Sequence, residues 1–313
     1  MSTSEDNFIH SAYIDELGTR INPCIEILAI TDASLEDGPH KGLLNFYEAF
    51  RVRFGAQMKW YRTNTDDHFK KMTLPKLDMV PFWFDDPRSK KETRLGVEIK
   101  PGEQPKDMSS PSFKFNCNRV SDAPSGVFHM TLPLQSGYET LSGILPLLQD
   151  ALLEFPLLSG YVGYTVYWDT LDFRFESKLF SQHMPSVYMR YPGINLAEPL
   201  YTKPLGLEGL MGVSWITLLG PKALAQVGGL DLLKERLKSP IEVQPLACKG
   251  GGALIVAGPR PLIGDMSIGD DLPLYKQVGH AVRDARFPKP FYVAGLDNPV
   301  ANEWFLRFFG RDD

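Results

Sequence analysis

Glu98-Ile99-Lys100 is the first grouping in the chain whose types and spacing suit catalysis. Alternate residues of a strand share a face, so this pair would present a carboxylate for a divalent ion beside an ammonium for an attacking water. An upstream acid would complete the metal-dependent nuclease pattern Asp…Glu-x-Lys, and Asp85-Asp86-Pro87 supplies one. The same spacing is also plain charge pairing on an edge strand, and it recurs at Glu176-Ser177-Lys178. Other catalytic signatures are missing. There is no Gly-x-Ser-x-Gly nucleophile elbow and no dinucleotide fingerprint. Gly250-Gly251-Gly252 continues into Ala253-Leu254-Ile255, without the Lys and Ser or Thr of a phosphate loop, and reads as a bend between strands. His10, His40, His68, His129, His183 and His280 show no His-x-His or His-x-x-x-His spacing. Asp66-Asp67-His68 has donors for a divalent ion but suits a solvated loop better. His129, inside an apolar strand, reads as a hydrogen-bonded core residue. Cys24, Cys117 and Cys248 are too scattered for a zinc site or a disulfide framework, and read as reduced, buried thiols. No catalytic residue, metal or cofactor is assigned.

The densest acidic feature is Gly264-Asp265-Met266-Ser267-Ile268-Gly269-Asp270-Asp271-Leu272-Pro273. A calcium loop would carry alternate ligands and a terminal Glu, which is missing. The pattern instead predicts a helix opened by Pro273, with Asp270 or Asp271 capping its free amides. Turned outward, Asp265, Asp270 and Asp271 would suit a basic protein partner. Trp83, in the Phe82-Trp83-Phe84 cluster, is the candidate aromatic anchor for such a contact, whereas Tyr275, beside the helix start, reads as core.

The elements that would carry these residues follow from periodicity. Ile25–Ile30 predicts a strand, and 43, 46, 47, 50 and 54 recur at helical spacing. Met58–Tyr61, Gly96–Lys100 and Phe113–Arg119 predict further strands, and the Pro, Gly and Ser stretch 101–112 a surface loop. Residues 62–94 read as polar and Pro-punctuated. Then come strand Val127–Leu132, helix Tyr138–Phe155 and strand Gly160–Trp168. The order repeats as strand Val213–Leu219, helix Lys222–Leu237, strands Ile241–Leu246 and Ala253–Ala257, and a helix Pro273–Ala285. Two such β-α-β units in tandem predict an α+β fold, with a mixed or mainly antiparallel sheet and helices on one side. We expect a tail over 1–20 and one domain over 21–313, with sub-boundaries near 120 and 200.

Apolar residues at 43% and charged residues at 23% exclude a disordered chain of 313 residues. Lys and Arg number 33 against 38 Asp and Glu, a net charge of −5. That balance gives no electrostatic reason to bind nucleic acid or an anionic membrane. The acidic start Met-Ser-Thr-Ser-Glu-Asp-Asn lacks the basic and apolar regions of a secretory signal, so a cytoplasmic location is expected.

The run Gly252–Gly258, then Pro261, Gly264-Asp265, Asp271-Leu272-Pro273-Leu274-Tyr275, Val278, Val282 and Arg286-Phe287-Pro288 resembles the type VI secretion immunity family, which includes immunity proteins for VRR-type nuclease effectors. The closing Glu303–Phe309 fits the family's aromatic C-terminal helix, and the elements between Phe128 and Trp168 agree in order and spacing. The resemblance implies a cytoplasmic, non-enzymatic protein that binds a toxic effector and blocks its active site. It carries over no catalytic residues. Residues 62–112, where the chain departs from the family, are where effector specificity would reside. The leading reading is therefore stoichiometric inhibition of a nuclease effector in bacterial competition. The rivals are a metal-dependent nuclease using Asp85 or Asp86, Glu98 and Lys100, and an interaction protein for something other than a toxin. The sequence leaves pairing into a homodimer open.

Overall fold

The computed structural model describes residues 9, 21–33, 41–84, 94–118, 125–168, 176–195, 208–288 and 298–310. One eleven-stranded sheet runs through them. Its strands are β1 (Ile21–Thr31), β2 (Trp60–Thr63), β3 (Lys70–Lys71), β4 (Arg94–Lys100), β5 (Ser112–Asn118), β6 (Gly126–Pro133), β7 (Leu157–Trp168), β8 (Ile194–Asn195), β9 (Ile216–Leu219), β10 (Ile241–Leu246) and β11 (Gly252–Ala257). The order is β10-β11-β9-β7-β1-β6-β5-β4-β2-β3, and every pairing along it is antiparallel. β8 pairs parallel with β7 at Tyr164 and Thr165, just beyond the stretch that β9 occupies.

The tandem units expected from the sequence are present in split form. β6 and β7 both lie antiparallel to β1 and so run parallel to each other, joined by helix α3 (Leu141–Leu152). Likewise β9 and β10 flank β11, joined by α5 (Pro221–Gln226) and α6 (Leu230–Arg236). The single helix expected over 222–237 breaks because Gly228 and Gly229 take φ of +91° and +90°, which L side chains rarely adopt.

β1 is buried along both faces, which is why it reads as a near-continuous apolar run. Its Ile25, Ile27 and Ala29 share a face with Phe113, Phe115 and Phe128. Helix α1 (Lys41–Phe54) covers that face, placing Phe46 5.4 Å from Phe128 and 5.5 Å from Phe155, ring centre to ring centre. α3 packs beside it, with the Thr140 hydroxyl accepting from the Gly143 amide at its start.

The opposite face carries Glu26, Lys114, Glu98, Arg62 and Tyr161. Helices α4 (Glu176–Arg190) and α8 (Asn298–Leu306) approach it, since Tyr188 and Arg307 lie close enough to Tyr161 to influence its ionisation. The α+β class stands, but the helices divide between the two faces rather than sharing one.

Two helices were not expected. α2 (Leu74–Trp83) lies in the Pro-punctuated stretch: Pro75 occupies its first turn, where a missing amide costs nothing, and Pro81 falls near its end. Leu77 and Val80 face the core, and the Tyr47 hydroxyl donates to the Leu77 carbonyl at 2.7 Å. α4 is the other, with Pro185 in its interior. α7 (Pro273–Ala281) stops short of the expected Ala285 and continues as a 3-10 turn. Gly279 lets α7 sit against the chain end: an added Cβ there would lie 2.2 Å from the Phe308 carbonyl oxygen. No described helix is long and apolar enough to cross a membrane.

Candidate functional site

Glu98 and Lys100 do share a face of β4, as the alternation requires, but both are buried and the carboxylate is bonded to other side chains. One Glu98 oxygen accepts from Arg62 Nε at 2.9 Å and Nη2 at 2.7 Å. The other accepts from the Tyr167 hydroxyl at 2.6 Å, and Lys114 Nζ stands 3.9 Å from the oxygen that Arg62 holds. Burial alone would raise the Glu98 carboxyl, but the charges of Lys114, Arg62 and Lys100 outweigh it and hold the group well below the usual carboxylate range. Lys100 Nζ points instead at Met108 Sδ, 3.0 Å away, and at the Phe69 ring, 3.8 Å from its centre. A metal-and-water device needs open carboxylate lone pairs next to its lysine. Here both carboxylate oxygens are engaged in a structural ion-pair network. Asp85 and Asp86 lie outside the described residues, among which no group of three His, Cys, Asp or Glu side chains is placed to hold a metal.

The remaining polar candidates resolve locally. His129 Nε2 lies 2.8 Å from Glu26 within the core. Asp66 pairs with Lys70 at 2.5 Å and accepts from the Thr63 amide, while His68 is exposed. Glu176 and Lys178 open α4. The three cysteines are buried and none is in a disulfide, and burial pushes the Cys248 thiol up to about 11.

The acidic block forms a fastened turn. Arg190, at the end of α4, forks onto Asp265: Nε donates to Oδ1 at 3.0 Å and Nη2 to Oδ2 at 2.9 Å. The Ser267 amide and hydroxyl add bonds to Oδ1 at 2.9 and 2.6 Å. Main-chain bonds of 3.0 and 3.1 Å run both ways between Asp265 and Asp270, and Gly269 takes φ +77° to close the turn. Asp265 is 2% exposed, so it fastens the loop from behind and does not present its charge outward as expected.

The capping expectation also changes. The position before α7 is Leu272, left-handed at φ 56°, and no side chain caps the helix. Asp271 instead accepts from Lys276 at 2.5 Å, because an ammonium one turn into the helix is a stronger partner than a neutral amide. Asp270 is exposed, and its carboxylate makes no ion pair among the described residues. Tyr275 is core, as expected, its hydroxyl accepting from the Leu262 amide at 3.0 Å.

Beside this turn lies a cleft of about 860 Å³, counted with its open mouth, lined by Met189, Met266, Asp271, Lys276, Glu303 and Leu306 among others. Sequence reasoning missed it, because α4 had no readable pattern. Trp83 sits far along the chain on α2, half-buried, its ring centre 5.6 Å from that of Tyr61. The exposed apolar groups of that helix are Leu74, Met79 and Phe82.

A family profile described as TsiV, type VI immunity for VRR-NUC, matches residues 43–308. The chain belongs to the TsiV family. Its function is type VI immunity, and its partner a nuclease effector of the VRR-NUC kind. The fold of this TsiV-family chain is shared with the Pseudomonas aeruginosa T6SS protein PA0821, at TM-score 0.73 and 19% identity over 92% of this chain and 84% of that one. No curated protein sequence matches it.

Ionisation of Asp265 sets an expected pH response. The Arg190 fork, ahead of the Ser267 bonds, depresses its carboxyl to about 2. A depressed carboxyl stabilises fully above its unfolded value, near 4, and the contribution fades as pH falls toward 2. Asp265→Asn should therefore cost about 1–2 kcal/mol at neutral pH, moderated by the solvent that reaches Arg190. In denaturant titrations the gap between the two proteins should close between pH 4 and pH 2. A gap that stays constant over that range would show that the charge contributes nothing.

Proposed function

We propose that this chain neutralises its effector in the cytoplasm, one molecule per toxin, by covering the cleft with which the nuclease grips DNA. A nuclease must present Lys and Arg to the phosphate backbone. The observation that carries the proposal is acidic surface at the C-terminal cleft and on the turn beside it. Glu303 lines the cleft and Asp270 lies on the turn, both exposed and without an ion pair among the described residues, while Asp271 is half-exposed and paired with Lys276. Such acidity would speed encounter with a basic surface and disfavour wrong partners. Trp83 on α2 supplies at most a peripheral contact in this reading, one that adds little to affinity, toward the segment where the chain departs from its family.

The test is coexpression with the VRR-NUC nuclease encoded beside the gene, together with a plasmid-cleavage titration. Cells should survive, and cleavage should reach zero near one inhibitor per nuclease. Death of cells holding abundant folded protein would overturn the proposal, as would undiminished cleavage at large molar excess.

A further inference from the structure

Of the eight exposed large apolar side chains among the described residues, Val52 and Leu153 aside, three lie on α2 (Leu74, Met79 and Phe82) and three around the fastened turn (Leu262, Met266 and Ile268). Ile268 stands at the tip of that turn, 74% exposed, with Met266 next to it at 50%. An apolar tip on a mobile loop would lose much of its binding energy to ordering. This tip is already ordered by the Arg190 fork, the Ser267 bonds and the two main-chain bonds between Asp265 and Asp270.

Charge separates the two places. Among the described residues, the acids on α2 and on the facing turn of α1 are engaged: Arg51 holds Glu48 at 2.6 Å and Asp78 at 3.0 Å. Beside the turn, Asp270 and Glu303 keep their charge available. An apolar projection flanked by exposed carboxylates complements a cleft whose walls carry the cations that meet the phosphate backbone.

We infer that the turn 265–270 is the plug of this immunity protein, with Ile268 and Met266 entering the DNA cleft of the VRR-NUC effector and Asp270 and Glu303 meeting the cations on its rim. The Met189–Leu306 cleft behind the turn receives a side chain of the effector in return. Asp265 acts here as a positioning residue. The inference rests on the proposed function, and names the face that performs it.

The test measures affinity of the full chain for the purified effector encoded beside it, alongside plasmid cleavage. Ile268→Asp and Met266→Asp should each weaken binding about 30-fold or more, the range of a central apolar anchor. Phe82→Asp, on α2, should stay within about threefold of the unsubstituted chain. Asp270→Lys with Glu303→Lys should slow association about tenfold and flatten its dependence on salt. This charge pair leaves the turn's bonds untouched, and it decides the matter if circular dichroism shows either tip variant misfolded. Tip and charge variants that bind like the unsubstituted chain would overturn the plug while leaving neutralisation intact. So would a Phe82→Asp loss as large as that at the tip. An unsubstituted chain that does not bind would instead overturn the proposed function.

Discussion

Glu98→Ala is expected to lower stability by about 3–5 kcal/mol, the usual cost of removing one partner from a buried ion pair. The reason lies in what remains. Arg62 and Lys114 are nearly inaccessible, Lys100 is fully so, and the carboxylate between them accepts two bonds from Arg62 and one from Tyr167. Without it, buried cations face one another and the Tyr167 hydroxyl loses its acceptor. Glu98→Gln keeps the shape but not the charge, and should recover only part of the loss. The carboxyl is held far below its ordinary value, so its stabilisation is complete above about pH 4 and is lost only as the solution becomes strongly acidic. Urea midpoints at pH 7 check this: a loss below about 1 kcal/mol for Glu98→Ala would refute the network's role. Replacing Arg62 and Glu98 together by Met and Leu should cost less than Glu98→Ala alone, because the cation bonded directly to the carboxylate leaves with it and only Lys114 and Lys100 remain to repel one another.

The central sheet was legible because its strands are buried on both faces and rich in apolar residues, so β1, β6, β7 and β11 appear within a few residues of expectation; β10, a partly exposed edge strand, was marked by the run that follows Pro240 instead. α2 was hidden by its two prolines, which read as loop punctuation although one occupies a permitted first-turn position and the other lies near the end. The acidic block was legible as a feature but not in its roles. Asp265 is turned inward by Arg190, 75 residues earlier, and no local pattern carries a pairing of that range. The same holds for Glu98, whose partners Arg62 and Tyr167 come from 36 residues before and 69 after. Local spacing placed Glu98 and Lys100 on one face correctly. It could not say that the site around them was already filled by other side chains.

That long-range assembly also explains why a chain of this family can hold a rigid contact turn at the end of a sheet. The turn hangs on α4 through Arg190, and α4 is tied in turn to the chain end through Arg307. Removing Arg190 frees one loop, whereas removing Arg307 unfastens the wall on which that loop is built.

Arg307→Ala should accordingly destabilise the protein by about 3 kcal/mol and weaken effector binding in parallel. Arg307 Nε donates to the Pro192 carbonyl at 2.7 Å and Nη2 to that of Ile194 at 3.3 Å, stitching the end of α8 to the link between α4 and β8. Nη1 closes back onto the Trp304 carbonyl at 2.8 Å. The guanidinium lies 3.7 Å from the Trp304 ring centre and 4.6 Å from that of Phe308. Burial works against its charge, so the three carbonyls and two ring faces are what retain it there. Unsatisfied carbonyls cost about 1–3 kcal/mol each where solvent does not reach them, and the lost stacking adds about 1 kcal/mol, though such terms overlap. Arg307→Lys should recover little, since an ammonium cannot reach three separated acceptors while lying flat on two rings. Denaturant midpoints, followed by tryptophan emission, read the first effect, and affinity for the effector reads the second. A fully stable Arg307→Lys would show that a point charge suffices and the planar fork is dispensable; a stable Arg307→Ala with full affinity would show that the C-terminal helix docks without this staple.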